Sequence, residues 1–257
     1  MRLDRAGRAA AVLIAWAGGA MAEDGAGFID RFKEAGAAWH VAEYDFDHPM
    51  FDTDWQKAQA VFGDGLTLAL APRTNGLNRF AGASVRRETP TRYGRYEAVI
   101  RPARGPGVVT GFFTYTGPHY GTRHDEIDIE FLGRDTTVMN IAWFVDGRMT
   151  DLRVPLGFDA ADRPRRYAFE WWPDRLRWFA GDRMIHEHLA TNGAIPTVPG
   201  RLFANIWAAD PSLAGWAGRA APGTRADARV LEVRFTPLGL PGAPPAPRKH
   251  PDFITPP

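Results

Sequence analysis

The amino-acid sequence predicts an all-β sandwich. Short segments of alternating apolar and polar residues recur along it, with Gly, Pro, Asn and Asp between them, while the 3.6-residue period of an amphipathic helix is scarce. A chain of 257 residues with 45% hydrophobic side chains can form one sizeable core, and sandwiches of this length are commonly single domains.

The elements follow in order. Arg2, Arg5 and Arg8 precede an apolar run from Ala9 to Gly19 and a small-x-small site, Ala20-Met21-Ala22. That pattern predicts a signal peptide over residues 1–22, because about 11 apolar residues fall short of the ~20 that span a bilayer. A secreted or periplasmic protein is expected, with no membrane attachment after cleavage. The folded domain is expected over residues 23–237. Helix is limited to short pieces such as Ile29 to Ala35. Strands are predicted at Leu66 to Leu70, Tyr93 to Arg101 and Val108 to Tyr115. Three more, Tyr167 to Trp171, Leu176 to Phe179 and Met184 to His188, are joined by Pro173-Asp174 and Gly181-Asp182 as two tight hairpins. Val230 to Phe235 is the last. Residues 238–257 are Pro-rich and expected to be disordered or extended.

Composition excludes several functions. The formal net charge is +1, and removal of residues 1–22 leaves 28 basic against 29 acidic residues, so no basic surface suits nucleic acid. Without cysteine there is no disulfide, thiolate metal site or catalytic thiol. No Gly-x-Ser-x-Gly elbow, phosphate loop or dinucleotide fingerprint occurs. His186-Glu187-His188 puts two histidines on one strand face but lacks a third ligand, so no metal site is assigned. The nine tryptophans exceed what a core alone suggests, and their flat faces suit stacking on sugar rings.

The sharpest signal is Asp125-Glu126-Ile127-Asp128-Ile129-Glu130. On a strand, alternate residues share a face, so Ile127 and Ile129 enter the core while Glu126, Asp128 and Glu130 line the other side. Three adjacent acids repel, and covering them raises at least one pKa. One ionised and one protonated carboxyl is the pair that glycoside cleavage needs. The Cα atoms of Glu126 and Glu130 stand roughly 13 Å apart at ~3.3 Å per residue. Their side chains must therefore lean together to reach the roughly 5–5.5 Å of a retaining pair. An edge strand guarded by charge, or a hard-cation site, would show the same three acids.

The run His124-Asp125-Glu126-Ile127-Asp128-Ile129-Glu130-Phe131-Leu132-Gly133 closely resembles the signature of glycoside hydrolase family 16, above all its bacterial lichenases and succinoglycan-depolymerising glycanases. Tyr93-Gly94-Arg95-Tyr96-Glu97, Phe112 to Pro118, Asp135-Thr136-Thr137, Leu156 to Ala160, Tyr167 to Trp171 and Asn205-Ile206-Trp207 fall in the family's order. The resemblance spans about Asp45 to Phe235. It implies a β-jelly roll of two antiparallel sheets with a concave glycan-binding cleft. It further implies a retaining endo-β-glucanase acting on β-1,3-1,4-glucan (lichenan type) or a related bacterial exopolysaccharide. In that pattern Glu126 is the nucleophile, Glu130 the general acid/base and Asp128 the residue that tunes the nucleophile. Trp207, Trp216, Arg86, Phe113, Tyr115 and His124 are implied to line the cleft and bind substrate. A transglycosylase of the same fold and a non-catalytic carbohydrate-binding jelly roll are the rival readings.

Departures from the family pattern bear on substrate and metal. His124 stands where lichenases carry Trp, Ser84 where they carry a cleft glutamate, and Asp52 where they carry a cleft asparagine. The lichenase disulfide would join Thr53 to Gly82. The family's calcium ligand on the last strand corresponds to Leu231, whose side chain cannot hold a cation. No cofactor is expected to be required, a structural calcium would lack that ligand, and a monomer is expected.

Overall fold

A computed structural model describes residues 26–239. The leader read at residues 1–22, and all but the first two residues of the Pro-rich tail, lie outside the described residues. Sixteen strands are described. They are β1 (Phe28–Asp30), β2 (Trp39–Val41), β3 (Thr53–Trp55), β4 (Ala60–Gly63), β5 (Gly65–Pro72), β6 (Phe80–Arg87), β7 (Gly94–Arg101) and β8 (Val108–Thr116). After them come β9 (Asp125–Leu132), β10 (Val138–Val145), β11 (Arg148–Pro155), β12 (Arg165–Trp171), β13 (Arg175–Ala180), β14 (Arg183–Leu189), β15 (Arg201–Ala208) and β16 (Ala226–Pro237). Every strand expected from sequence is present, and the two hairpins join β12, β13 and β14 as read.

The strands form two layers. The inner one runs β11-β10-β9-β8-β15-β6 and the outer one β5-β16-β7-β12-β13-β14, joined where Ala71 and Pro72 of β5 pair Ala81 and Phe80 of β6. With the exception of β3 on β6, every pairing is antiparallel. This is the highly curved, jelly-roll-like sheet expected, with the core between the layers. Leu66, Leu68, Tyr96, Ile100 and Phe169 from the outer layer meet Phe112, Ile127, Ile129, Phe131 and Ile141 from the inner one, all fully buried. Each buried side chain of that size adds about 1.5–3 kcal/mol relative to exposure.

The short helix expected over Ile29 to Ala35 does not form. Phe28–Asp30 pairs β16 instead, and the Asp30 carboxylate takes a hydrogen bond from the Phe32 backbone N–H and another from Trp39 Nε1, each 2.8 Å. Phe32 turns left-handed (φ 54°) so that its ring drops into the core against Trp39. Burial of one ring against another outweighs a weak local helical preference.

Two details of the sequence find their place in the fold. Gly82 and Thr53 adjoin, since a Cβ built on Gly82 would lie 2.6 Å from Thr53 Cγ2. The positions of the family disulfide therefore face each other with neither sulfur present. His186 and His188 pack on Trp143, and Glu187 pairs with Arg177, so the His-Glu-His triplet serves packing and ion pairing.

Candidate active site

Strand β9 sits in the middle of the inner sheet, between β8 and β10, so its acids do not guard an edge. The exposed edge is β11, with Arg148, Asp151 and Arg153 along it. The alternation expected of β9 holds. Ile127 and Ile129 are fully buried beneath, Asp128 is buried on the cleft side, and Glu126 and Glu130 are half-buried beside it. From the outer layer, Trp178 Nε1 donates to the Asp128 carbonyl at 3.0 Å, pinning the centre of the strand from below.

Register lays out the floor of the cleft in rows. Glu130 lies between Asn140 of β10 and Gly111 of β8, with Asn205 and then Ser84 beyond. Asp128 lies between Ala142 and Phe113, with Phe203, Arg86 and His40 further across. Glu126 lies between Phe144 and Tyr115, with Arg201 beyond. Gly111 has a reason here, because a Cβ at that position would come within 2.6 Å of Asn205 Oδ1. The missing side chain lets the Asn205 amide reach toward Glu130.

The electrostatics separate the three acids. Burial, then the charges of Glu126 and Asp151, pushes Glu130 up to about 8, so it holds its proton at neutral pH. Asp128 is raised well above the usual carboxylate range by burial, by the charges of Glu126 and Glu130, and by a hydrogen bond to Glu126. Its Oδ2 has no partner among the described residues. Glu126 supplies the negative charge that raises both neighbours, and its Oε2 accepts from His124 Nε2 at 2.6 Å. Tyr115 is raised by burial and by Glu126. A neutral acid beside a charged carboxylate, on one floor, is chemically able to protonate a leaving oxygen and attack a carbon in turn.

The residues implied to bind substrate fall around this centre. His124 stacks on Phe144 (4.5 Å, 18°) and meets Tyr115 edge-on (5.2 Å). Phe113 stacks on Phe203 (5.0 Å, 8°). Arg86 lies three strands from β9, roughly 14 Å at ~4.8 Å per strand, and loosely pairs with Glu88 at 3.4 Å. Trp207 lies on the cleft side one row past Glu130, but it is only 3% exposed, held between Phe51 (4.2 Å) and Trp216 (6.0 Å). It therefore backs the wall, and half-buried Trp216 is the ring with surface to offer. Asp52 binds Arg79, whose Nε donates to its Oδ2 at 2.7 Å.

Asn140 and Asn205 are two polar residues of the cleft that the sequence alone did not mark as site residues. Both are buried on the Glu130 row, with Asn140 Nδ2 and Oδ1 and Asn205 Oδ1 unpartnered among the described residues. Buried amides left open in this way suit hydroxyl-rich ligands. Asn205 belonged to a motif that follows the family's order, whereas Asn140 needed the β9–β10 register to be seen.

Comparison with known proteins agrees with this geometry. The model of the glycosyl hydrolases family 16 matches residues 47–225. A β-glucanase of Bacillus subtilis is 37% identical over 190 residues, covering 73% of this chain and 77% of its own. Among solved structures, a prokaryotic β-1,3-1,4-glucanase (lichenase) derived from a mouse hindgut metagenome superposes with a TM-score of 0.79 at 30% identity, over 82% of this chain and 99% of its own. The Bacillus licheniformis β-glucanase gives 0.76 at 33% identity, over 82% and 98%. From its motif, its fold and these matches, this chain belongs to the glycosyl hydrolases family 16.

Proposed function

We propose that this chain is a retaining endo-β-glucanase that cuts β-1,3-1,4-glucan or a related bacterial exopolysaccharide. The observation that carries this is the divided set of acids on β9: Glu130 pushed up to about 8 by burial and by the negative charge of Glu126, two residues beyond Asp128. Glu126 attacks the anomeric carbon while Glu130 gives its proton to the departing glycosidic oxygen. Glu130, now ionised, takes a proton from water, which displaces Glu126 and restores the starting state with configuration retained. Asp128, raised well above the usual carboxylate range by burial and by its acidic neighbours, hydrogen-bonds Glu126 and keeps it aligned. The β-glucanases that resemble the chain support the polymer class. The basic and apolar composition of residues 1–22 supports export to the periplasm or medium, where such polymers occur.

Reducing-end release on lichenan, laminarin, carboxymethyl-cellulose and succinoglycan tests the substrate. Cleavage of lichenan or succinoglycan is expected, and cleavage of none overturns the reading. Glu126→Gln and Glu130→Gln should each lower kcat on the cleaved polymer by at least about a thousandfold, with an unchanged fold by circular dichroism. A Glu126→Gln enzyme of normal activity sinks the mechanism, and so does an inverted anomer seen first in the product by NMR.

A further inference from the structure

We infer that His124 is a positioning residue for the attacking carboxylate, orienting Glu126 by hydrogen bond rather than stacking on sugar. The inference rests on the assignment of Glu126 as nucleophile. Three contacts fix the imidazole. Its Nε2 lies 2.6 Å from Glu126 Oε2, its face lies on Phe144 at 4.5 Å, and its edge meets the ring of Tyr115 at 5.2 Å. Phe144 and Tyr115 are the direct register partners of Glu126 on β10 and β8, so the same pair of strands flanks the carboxylate and clamps the imidazole that binds it. An aromatic ring clamped on two sides loses little freedom on making its bond. With one face covered by Phe144 and Nε2 spent on the carboxylate, the imidazole is already committed to contacts within the protein.

The chemistry of the bond follows. An N–H donor on Oε2 fixes the orientation of the carboxylate, and with it which lone pair meets the anomeric carbon. When the glycosyl–Glu126 ester breaks, the same N–H meets the returning negative charge, so the contact assists departure of Glu126 as well as its approach. Asp128 donates to Glu126 from within the strand, and His124 from the residue that precedes it. The carboxylate is therefore held from both directions along the chain.

Three variants test this on the polymer the enzyme cleaves best: His124→Gln, His124→Phe and Glu126→Gln. Glutamine keeps an N–H at similar reach and should lose no more than about threefold in kcat, whereas phenylalanine, which has no donor for the carboxylate, should lose about 10- to 100-fold with KM nearly unchanged. Thermal unfolding should stay close to that of the parent, since Phe retains the stack on Phe144. An imidazole ¹⁵N spectrum should show a protonated Nε2 whose shift moves in Glu126→Gln. Sugar stacking predicts the reverse order, with His124→Phe fully active and His124→Gln impaired through KM, and that result overturns the inference. If Glu126→Gln is inactive while both His124 variants match the parent, only the role of His124 falls. If Glu126→Gln is active, the nucleophile assignment falls with it.

Discussion

Asp125 and Asp128 lie three residues apart on β9 and are almost equally hidden, at 2% and 5% exposure. Their protons nevertheless behave oppositely. Burial works against the charge of Asp125, but its carboxylate takes two hydrogen bonds from Arg123 (both 3.0 Å), one from the Asp146 N–H (3.1 Å) and two from the Thr197 and Val198 N–H groups (2.8 and 3.1 Å). Those donors outweigh burial and hold it below the usual carboxylate range. Asp128 is as little exposed but more deeply packed, with acids on both sides and an oxygen that has no partner among the described residues, and it is raised well above that range, burial being the largest cause. Low solvent exposure alone does not decide whether a carboxyl is charged; how densely it is packed and which donors and charges face it decide as well. One aspartate ties the 197–198 loop to the start of the strand, and the other, raised well above the usual carboxylate range, lies beside Glu126.

The contrast breaks most decisively at Asp125. Asp125→Asn turns an amide N–H₂ toward N–H and guanidinium donors, and removing one partner of a buried charged network costs about 3 kcal/mol or more. At about 2–4 °C per kcal/mol, the melting temperature at pH 7 should fall by roughly 6–12 °C. Because the Asp125 carboxyl is depressed, the stability it contributes is present above the ordinary value near 3.8 and is lost as pH falls through its lower native value. The wild type should therefore lose stability steeply in acid, and the variant should not. Calorimetry from pH 2 to 7 measures both.

A second effect sits at Glu130. As the proton donor in the free enzyme, a group raised to about 8 should make kcat/KM fall above that pH, approaching tenfold per unit. A profile with no alkaline limb between pH 7 and 9 contradicts the assignment of Glu130 as acid. The smallest effect sharpens the comparison from the other side. A raised carboxyl contributes its full stability below its unfolded value near 3.8 and loses it as pH rises through the native value. Asp128→Asn should therefore melt a few degrees higher than the parent at pH 8, and by less at pH 4, while kcat falls. Parallel melting curves at both pH values would show that the Asp128 proton carries no strain in the fold.

Much of this was legible in the sequence, for physical reasons that also mark the limits. β5, β7 and β16 alternate because one face meets core and the other meets water or polar neighbours. Strand β9 was legible because charged residues alternate with isoleucine. The unread strands break that rule. β6 (Phe-Ala-Gly-Ala-Ser-Val-Arg-Arg) and β15 are covered on both faces, by the core and by neighbouring loops or the cleft, so small and apolar residues run together. β10 is apolar along almost its whole length for the same reason, and β11 is an exposed edge with no buried face at all. Site residues on β9 could be named from spacing alone. Asn140 and Phe144 could not, because pairing across strands is set by register, which local composition does not encode. The expected helix at Ile29 failed where tertiary burial of Phe32 overrode local preference.

The row-and-column floor of the cleft has an evolutionary consequence. Ser84, Ala142 and Phe144 share the face of the acids, while their chain neighbours Val85, Ile141 and Trp143 face the interior and hold the layers together. Strand geometry thus assigns recognition and folding to different residues of one segment. Point changes on the outward tiles can retarget the enzyme to a new polysaccharide without disturbing what lies beneath. In such a molecule, substrate preference diverges long before architecture does.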